Sequence, residues 1–192
     1  MGQLTSRFRS LFESTKNQEI IMVGLDAVGK TTILYILKDN QELPTVPTIG
    51  FNIEECQIKK TKLKIWDVGG QERIRHLWAT YSKEATGVVY VFDISYPGKW
   101  REAADHLMKV MDERRLPTLI LMNKTDLLSG PAEIESNKKK ILDMCDFTSF
   151  SKGMYEVFTV SAKKDESDPD RAYSELERAF TWLDNAIQKR GG

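Results

Sequence analysis

The eight residues Gly24-Leu25-Asp26-Ala27-Val28-Gly29-Lys30-Thr31 fit the pattern G-x-x-x-x-G-K-[ST] in full. Glycine permits a tight backbone path that turns several N–H groups inward, and such a nest attracts anions. The short apolar run Ile20–Gly24 leads into it, and Lys30–Lys38 follows with Ile33, Leu34 and Leu37 at helical spacing. The positive end of that helix faces the same anion. In this pattern Lys30 reaches the outer phosphates, and the Thr31 hydroxyl, with Thr32 beside it, lies where Mg²⁺ binds. The plain alternative is a glycine turn that binds nothing. The strand–loop–helix context argues against it and predicts a phosphate-binding site spanning 24–32.

Asn123-Lys124-Thr125-Asp126 follows the apolar run Pro117–Asn123, at the strand end where open α/β sheets bind ligands. A carboxylate at Asp126 accepts from both the ring N–H and the exocyclic amine of guanine. Adenine has no such donor pair and leaves the acid unpaired. Lys124 can lay its methylene stem along a purine face, and Asn123 can tie neighbouring loops together. Ser161-Ala162-Lys163 closes the next strand, with the Ala162 N–H a candidate donor to the guanine carbonyl. Each string alone is an ordinary loop; in this order after a phosphate loop they predict GTP and GDP as ligands rather than ATP.

Trp66-Asp67-Val68-Gly69-Gly70-Gln71 ends another strand with D-x-x-G. Asp67 is a candidate to hold Mg²⁺ through a water, the Gly70 N–H to bond the γ-phosphate, and Gln71 to orient an attacking water. Thr48, in Pro47-Thr48-Ile49-Gly50, is a further candidate Mg²⁺ ligand on a loop with few packing residues. Both loops then depend on the γ-phosphate for order, which is the condition for a switch. Sixteen residues separate Thr31 from Thr48, too few for an inserted helical domain carrying an arginine in cis. Slow intrinsic hydrolysis and a need for an activating partner are therefore expected.

Apolar strand-like runs and charged helical stretches alternate along the rest of the chain. Phe51–Ile58 and Lys62–Asp67 read as a hairpin across Lys59-Lys60-Thr61. Gly87–Asp93 and Pro117–Asn123 are continuous apolar runs, as strands buried on both faces should be. Charged segments at 99–115 and 137–146 separate them from a last strand, Tyr155–Val160. A closing helix over 171–189 has Leu176, Phe180, Leu183 and Ile187 in step. The expected fold is α/β, a mixed, mostly parallel six-stranded sheet with helices on both faces. At 192 residues one such domain, 18–192, accounts for the chain beyond a short leader, 1–17. Twenty-eight basic residues balance 28 acidic ones, which argues against a nucleic-acid partner. Two cysteines do not make a disulfide scaffold, no run approaches the ~20 residues of a membrane span, and the leader has no signal-peptide core. A cytoplasmic protein, a monomer, is expected.

The stretches 24–32, 47–52, 66–78, NKTD and the Trp-Leu near the end resemble the Arf and Arf-like small GTPases of the Ras superfamily. Val28 in place of alanine, NKTD for NKQD and SAKK for C-A-T-S depart from the usual motifs, and 127–157 match poorly. The resemblance implies the small-GTPase fold of the phosphate-loop NTPases and a switch between GDP and GTP states. It implies partners: an exchange factor, an activating protein, and effectors such as coat or tether proteins in vesicle traffic at the Golgi or another endomembrane. It also implies that Phe51, Trp66 and Tyr81 form an aromatic triad that, with Ile49, couples switch loops to effectors. The 51–67 hairpin should slide in register between the two states; a slide by an even number of residues keeps the same faces buried. A non-hydrolysing GTP-binding adaptor is the alternative; Gln71, Thr48 and Lys30 together favour hydrolysis.

Met1-Gly2-Gln3-Leu4-Thr5-Ser6 fits the N-myristoylation pattern, with Gly2 the acceptor. Leu4, Phe8, Leu11 and Phe12 fall on one helical face, and Arg7, Arg9 and Lys16 outnumber Glu13. One acyl chain binds membranes only marginally, with K on the order of 10⁴ M⁻¹, so such a helix supplies the second contact. The resemblance implies that the GDP form hides this helix and the GTP form releases it. The last cysteine is Cys145, so prenylation at the C-terminus is not expected.

Overall fold

The computed structural model describes residues 17–39, 51–58, 61–69, 85–151 and 153–190. Six strands form one sheet: β1 (Asn17–Val23), β2 (Phe51–Ile58), β3 (Thr61–Val68), β4 (Gly87–Asp93), β5 (Thr118–Asn123) and β6 (Tyr155–Thr159). Their order is β2-β3-β1-β4-β5-β6. Only the β2–β3 pair is antiparallel; every other neighbour is parallel. β4 and β5 carry the long apolar runs because they lie inside the sheet, and every side chain from Gly87 to Phe92 is buried.

Four helices cover the sheet among the described residues: α1 (Lys30–Asp39), α2 (Trp100–Arg114), α3 (Pro131–Leu142) and α4 (Arg171–Arg190). The strand period assigns them to faces. The Tyr90 hydroxyl donates to the Ala103 carbonyl of α2 at 2.8 Å. Gly87, an odd number of residues away and so on the opposite face, lies under Ile187 and Leu183 of α4. α1 packs beside α4. Hence α2 takes one face, α1 and α4 the other. Ala172, Leu176, Ala179, Phe180, Leu183 and Ile187 form the buried stripe of α4 at 3–4-residue intervals.

The boundaries differ from the sequence reading at several ends, three of which have a visible cause. β1 begins at Asn17, because Asn17 to Met22 pair with Lys62 to Asp67; the leader therefore gives one residue to the sheet. β3 begins at Thr61 rather than Lys62, because Thr61 pairs with Ile58 and its buried hydroxyl donates to Asp184 Oδ2 at 2.9 Å. β6 ends at Thr159, where the Val160 N–H still donates to the Met122 carbonyl at 3.0 Å. Gly2 and the helix read in the leader, Thr48, Ile49, Gly70, Gln71 and Tyr81 lie outside the described residues.

Candidate functional site

Parallel strands bring their carboxyl ends to one edge of the sheet, and the loops leaving β1, β4, β5 and β6 converge there beside the end of β3. The loop after β1 is held from below by its own apolar residues. Leu25 and Val28 are buried, while Asp26 and Ala27 face solvent. A Cβ on Gly24 (φ +149°) would lie 2.4 Å from the Val91 carbonyl oxygen; one on Gly29 (φ +94°) would lie 2.4 Å from Asn123 Nδ2. Glycine is thus required at both ends, by backbone angle and by contact. Ala27 adopts φ +59° with a side chain present. Among the described residues only Ala27, Arg115 and Lys124 do so, and two of the three are in this site.

Lys30 is buried, and its Nζ donates to the carbonyls of Gly24 (3.0 Å) and Leu25 (2.8 Å). The ammonium therefore sits over the cradle formed by its own loop. One residue on, Thr31 Oγ1 donates to Asp67 Oδ2 at 2.6 Å, and Asp67 is fully buried at the end of β3. A hydroxyl and a carboxylate converging at the mouth of the cradle are the hard oxygen donors that Mg²⁺ takes, so the donor set fits that ion. The contact also joins the phosphate loop to the hairpin strand.

On the other side of the cradle, Asn123 holds three loops together. Its Nδ2 donates to the Val28 carbonyl at 2.9 Å, and its Oδ1 accepts from the Ala162 N–H at 3.0 Å. The Ala162 N–H, read from the sequence as a candidate donor to the guanine carbonyl, lies on the wall of the site's cavity. Asp126 Oδ1 accepts from Ser161 Oγ at 2.7 Å, which restrains the carboxylate at the wall of the cavity. Lys124, in the left-handed region at φ +69°, pairs with Asp93 Oδ2 at 2.7 Å. Gly29, Thr32, Asn123, Lys124, Asp126, Ala162 and Lys163 line one cavity of about 170 Å³.

Two contributors were not singled out in the sequence. Asp93 orients Lys124, and its Oδ1 accepts from the Ser95 N–H (2.9 Å) and hydroxyl (2.6 Å). Its place at the end of an apolar strand was the available signal. Glu175 of α4 accepts from the Ser161 N–H at 3.3 Å, and no local pattern marks it. Phe51 and Trp66 pack at 5.5 Å between ring centroids, with Phe51 43% exposed beside Ile53. Neither thiol belongs to the site: burial pushes Cys56 up to about 12 and Cys145 up to about 11, so both stay protonated at neutral pH.

The family model for the ADP-ribosylation factor family matches residues 4–187. The chain belongs to that family. Its members are GTPases, and the chain accordingly is a GTP-binding switch and a GTPase that takes GTP or GDP with Mg²⁺. Membership also implies dealings with exchange factors, activating proteins and effectors. A solved structure of the Arl6 BBS3 small GTPase from Trypanosoma brucei, with bound nucleotide analogue GppNp, superposes with a TM-score of 0.70. It is 20% identical and covers 91% of this chain and 99% of its own; that likeness shows the small-GTPase fold.

The Asn123 contacts make one prediction. Gly29→Ala puts a methyl where Asn123 Nδ2 now sits and forces an unfavourable backbone angle. Nucleotide affinity should fall by at least about tenfold, with a loss of stability of roughly 1–3 kcal/mol. Isothermal titration with GDP and thermal melting check both; wild-type affinity would contradict the packing described.

Proposed function

We propose that the chain hydrolyses GTP slowly by itself and uses the bound state to recruit effectors to a membrane. The observation that carries this reading is the 2.6 Å contact between Thr31 and Asp67, which makes the occupant of the phosphate loop and the position of β3 interdependent.

The 24–32 backbone cradles the phosphates, and Lys30 exchanges its two loop carbonyls for phosphate oxygens. Thr31, with Thr48 and, through a water, Asp67, would hold Mg²⁺, which when bound would neutralise phosphate charge. Asp126, fixed by Ser161, accepts from the two guanine donors. Lys124 lays its stem on the ring while its head stays on Asp93, and Asn123 keeps the loops in place. Ala162 and Lys163 line the base pocket. The Gly70 N–H bonds the γ-phosphate and Gln71 orients the attacking water. With only sixteen residues between Thr31 and Thr48, no inserted domain brings an arginine in cis, and an activating protein completes the charge stabilisation.

Binding of the γ-phosphate draws the loops bearing Thr48 and Gly70 inward and slides the hairpin by two residues. Ile49, Phe51, Trp66 and Tyr81 then present the effector surface. The same slide releases the leader, whose acyl chain on Gly2 and apolar helical face together hold the membrane. This assigns the chain to vesicle traffic, cytoplasmic and reversibly bound to the Golgi or another endomembrane, as a monomer with no nucleic-acid partner. With Asn17 in the sheet, the domain proper runs 17–192, after a 1–16 leader.

Two measurements test this. Phosphate release from purified protein in single turnover should be slow with GTP and absent with ATP, and slower again in Gln71→Leu; turnover of ATP, or unchanged release by the variant, contradicts the assignment. The myristoylated chain should sediment with anionic vesicles when loaded with a GTP analogue and much less with GDP. Gly2→Ala should abolish sedimentation, and equal sedimentation of all three samples contradicts the membrane reading.

A further inference from the structure

Asp126 is aimed by Ser161, and Ser161 is itself held by something outside the pocket. The serine is 2% exposed, just beyond the end of β6. Its Oγ accepts from the Lys163 N–H at 3.3 Å and donates to Asp126 Oδ1 at 2.7 Å. A carboxylate only accepts, so the hydroxyl proton is committed to Asp126. Where that hydroxyl sits therefore decides how the carboxylate lies on the cavity wall. The position of the hydroxyl is set in turn by the Ser161 backbone.

That backbone N–H donates to Glu175 Oε2 at 3.3 Å. In so enclosed a residue the N–H depends on this acceptor, since an unpaired buried donor is costly. Glu175 reaches it from the second turn of α4, between Ala172, Leu176 and Ala179, which are all buried. α4 cannot follow a shifting loop without lifting those side chains out of close packing. One turn earlier, Arg171 Nη1 pairs with Asp165 Oδ2 at 3.0 Å and ties the 160–170 connection to the same helix end. α4 is thus a fixed post, and Glu175 is a short arm from it to the loop. Glu175 does not line the cavity.

We propose that Glu175 is a positioning residue for base selection, acting through Ser161 on the direction of the Asp126 carboxylate. This rests on the reading above that Asp126 accepts from the two guanine donors. Accepting from the ring N–H and the exocyclic amine together requires both carboxylate oxygens in the plane of the base, a demand that one hydrogen bond does not make. Loosening Ser161 therefore weakens the paired contact more than it weakens the grip on the phosphates. The base that reports this is hypoxanthine, which keeps the ring N–H and lacks the exocyclic amine. A site built to bond that amine rejects the analogue without it, and does so only while its acceptor is held in place.

The test is displacement of a fluorescent GDP from the full chain, with Mg²⁺ present, by GDP and by inosine diphosphate, with thermal melting alongside. The wild-type chain should prefer GDP, and Glu175→Ala should lower that preference by about fivefold, part of the worth of one charge-assisted hydrogen bond. Glu175→Gln keeps an acceptor of the same reach and should keep most of the preference. Glu175→Asp is too short to reach and should lose it as alanine does, which keeps the question open to measurement if the alanine variant folds poorly. In a Ser161→Ala background, where the route to Asp126 is cut, Glu175→Ala should change the preference no further. An unchanged preference in both short variants, or an equal further loss in the Ser161→Ala background, overturns the proposal and leaves Glu175 a structural residue, however far the melting temperature falls. Equal binding of the two diphosphates by the wild-type chain would instead overturn the paired Asp126 contact, and the role of Glu175 with it.

Discussion

A buried carboxylate at the end of β3, 2.6 Å from a hydroxyl at the start of α1, is the contact on which the rest of this molecule depends. Asp67 is fully buried, and an ionised carboxylate is tolerated there only with strong partners. The Thr31 hydroxyl is one; a divalent ion between them would be a stronger one. Whatever occupies the phosphate loop thus acts on β3. Because β3 is paired with β1 on one side and β2 on the other, the force falls on the hairpin as a unit.

The opposite half of the site is built to stay still. Asn123 spends both ends of its amide on the Val28 carbonyl and the Ala162 N–H, and Ser161 and Asp93 restrain Asp126 and Lys124. These strands carry continuous apolar runs buried from both faces, so a displacement there would disturb close packing throughout the core. The hairpin has an alternating pattern and one open edge. A braced base pocket beside a hairpin with one open edge is the arrangement the proposed slide requires.

Much of this was legible in the sequence because it depends on local pattern. The phosphate loop is an unbroken string whose glycines are forced by φ and by contact. β4 and β5 are apolar runs of the right length, and the stripe on α4 keeps helical time. What was not legible depends on contacts between distant segments. Glu175 and Asp184 are ordinary helix acids until α4 is laid across the sheet, and Thr61 looked like a turn residue until Asp184 gave its hydroxyl a partner. Ala162 lies beside the pocket as the sequence places it, but its bond to the Asn123 side chain, 39 residues away, is visible only in the fold. Asp93 closes β4 in plain view, but only the fold brings Lys124 to it.

The central claim is mechanical: the state of the phosphate loop sets the position of the β2–β3 hairpin through Thr31 and Asp67. Amide hydrogen exchange across 51–68, compared between the Mg²⁺·GDP and Mg²⁺·GTP-analogue forms of the full chain, tests it most directly. The account predicts that protection in β2 and β3 changes between the two forms while protection in β4 and β5 stays the same. Identical exchange of the hairpin in both forms would contradict it.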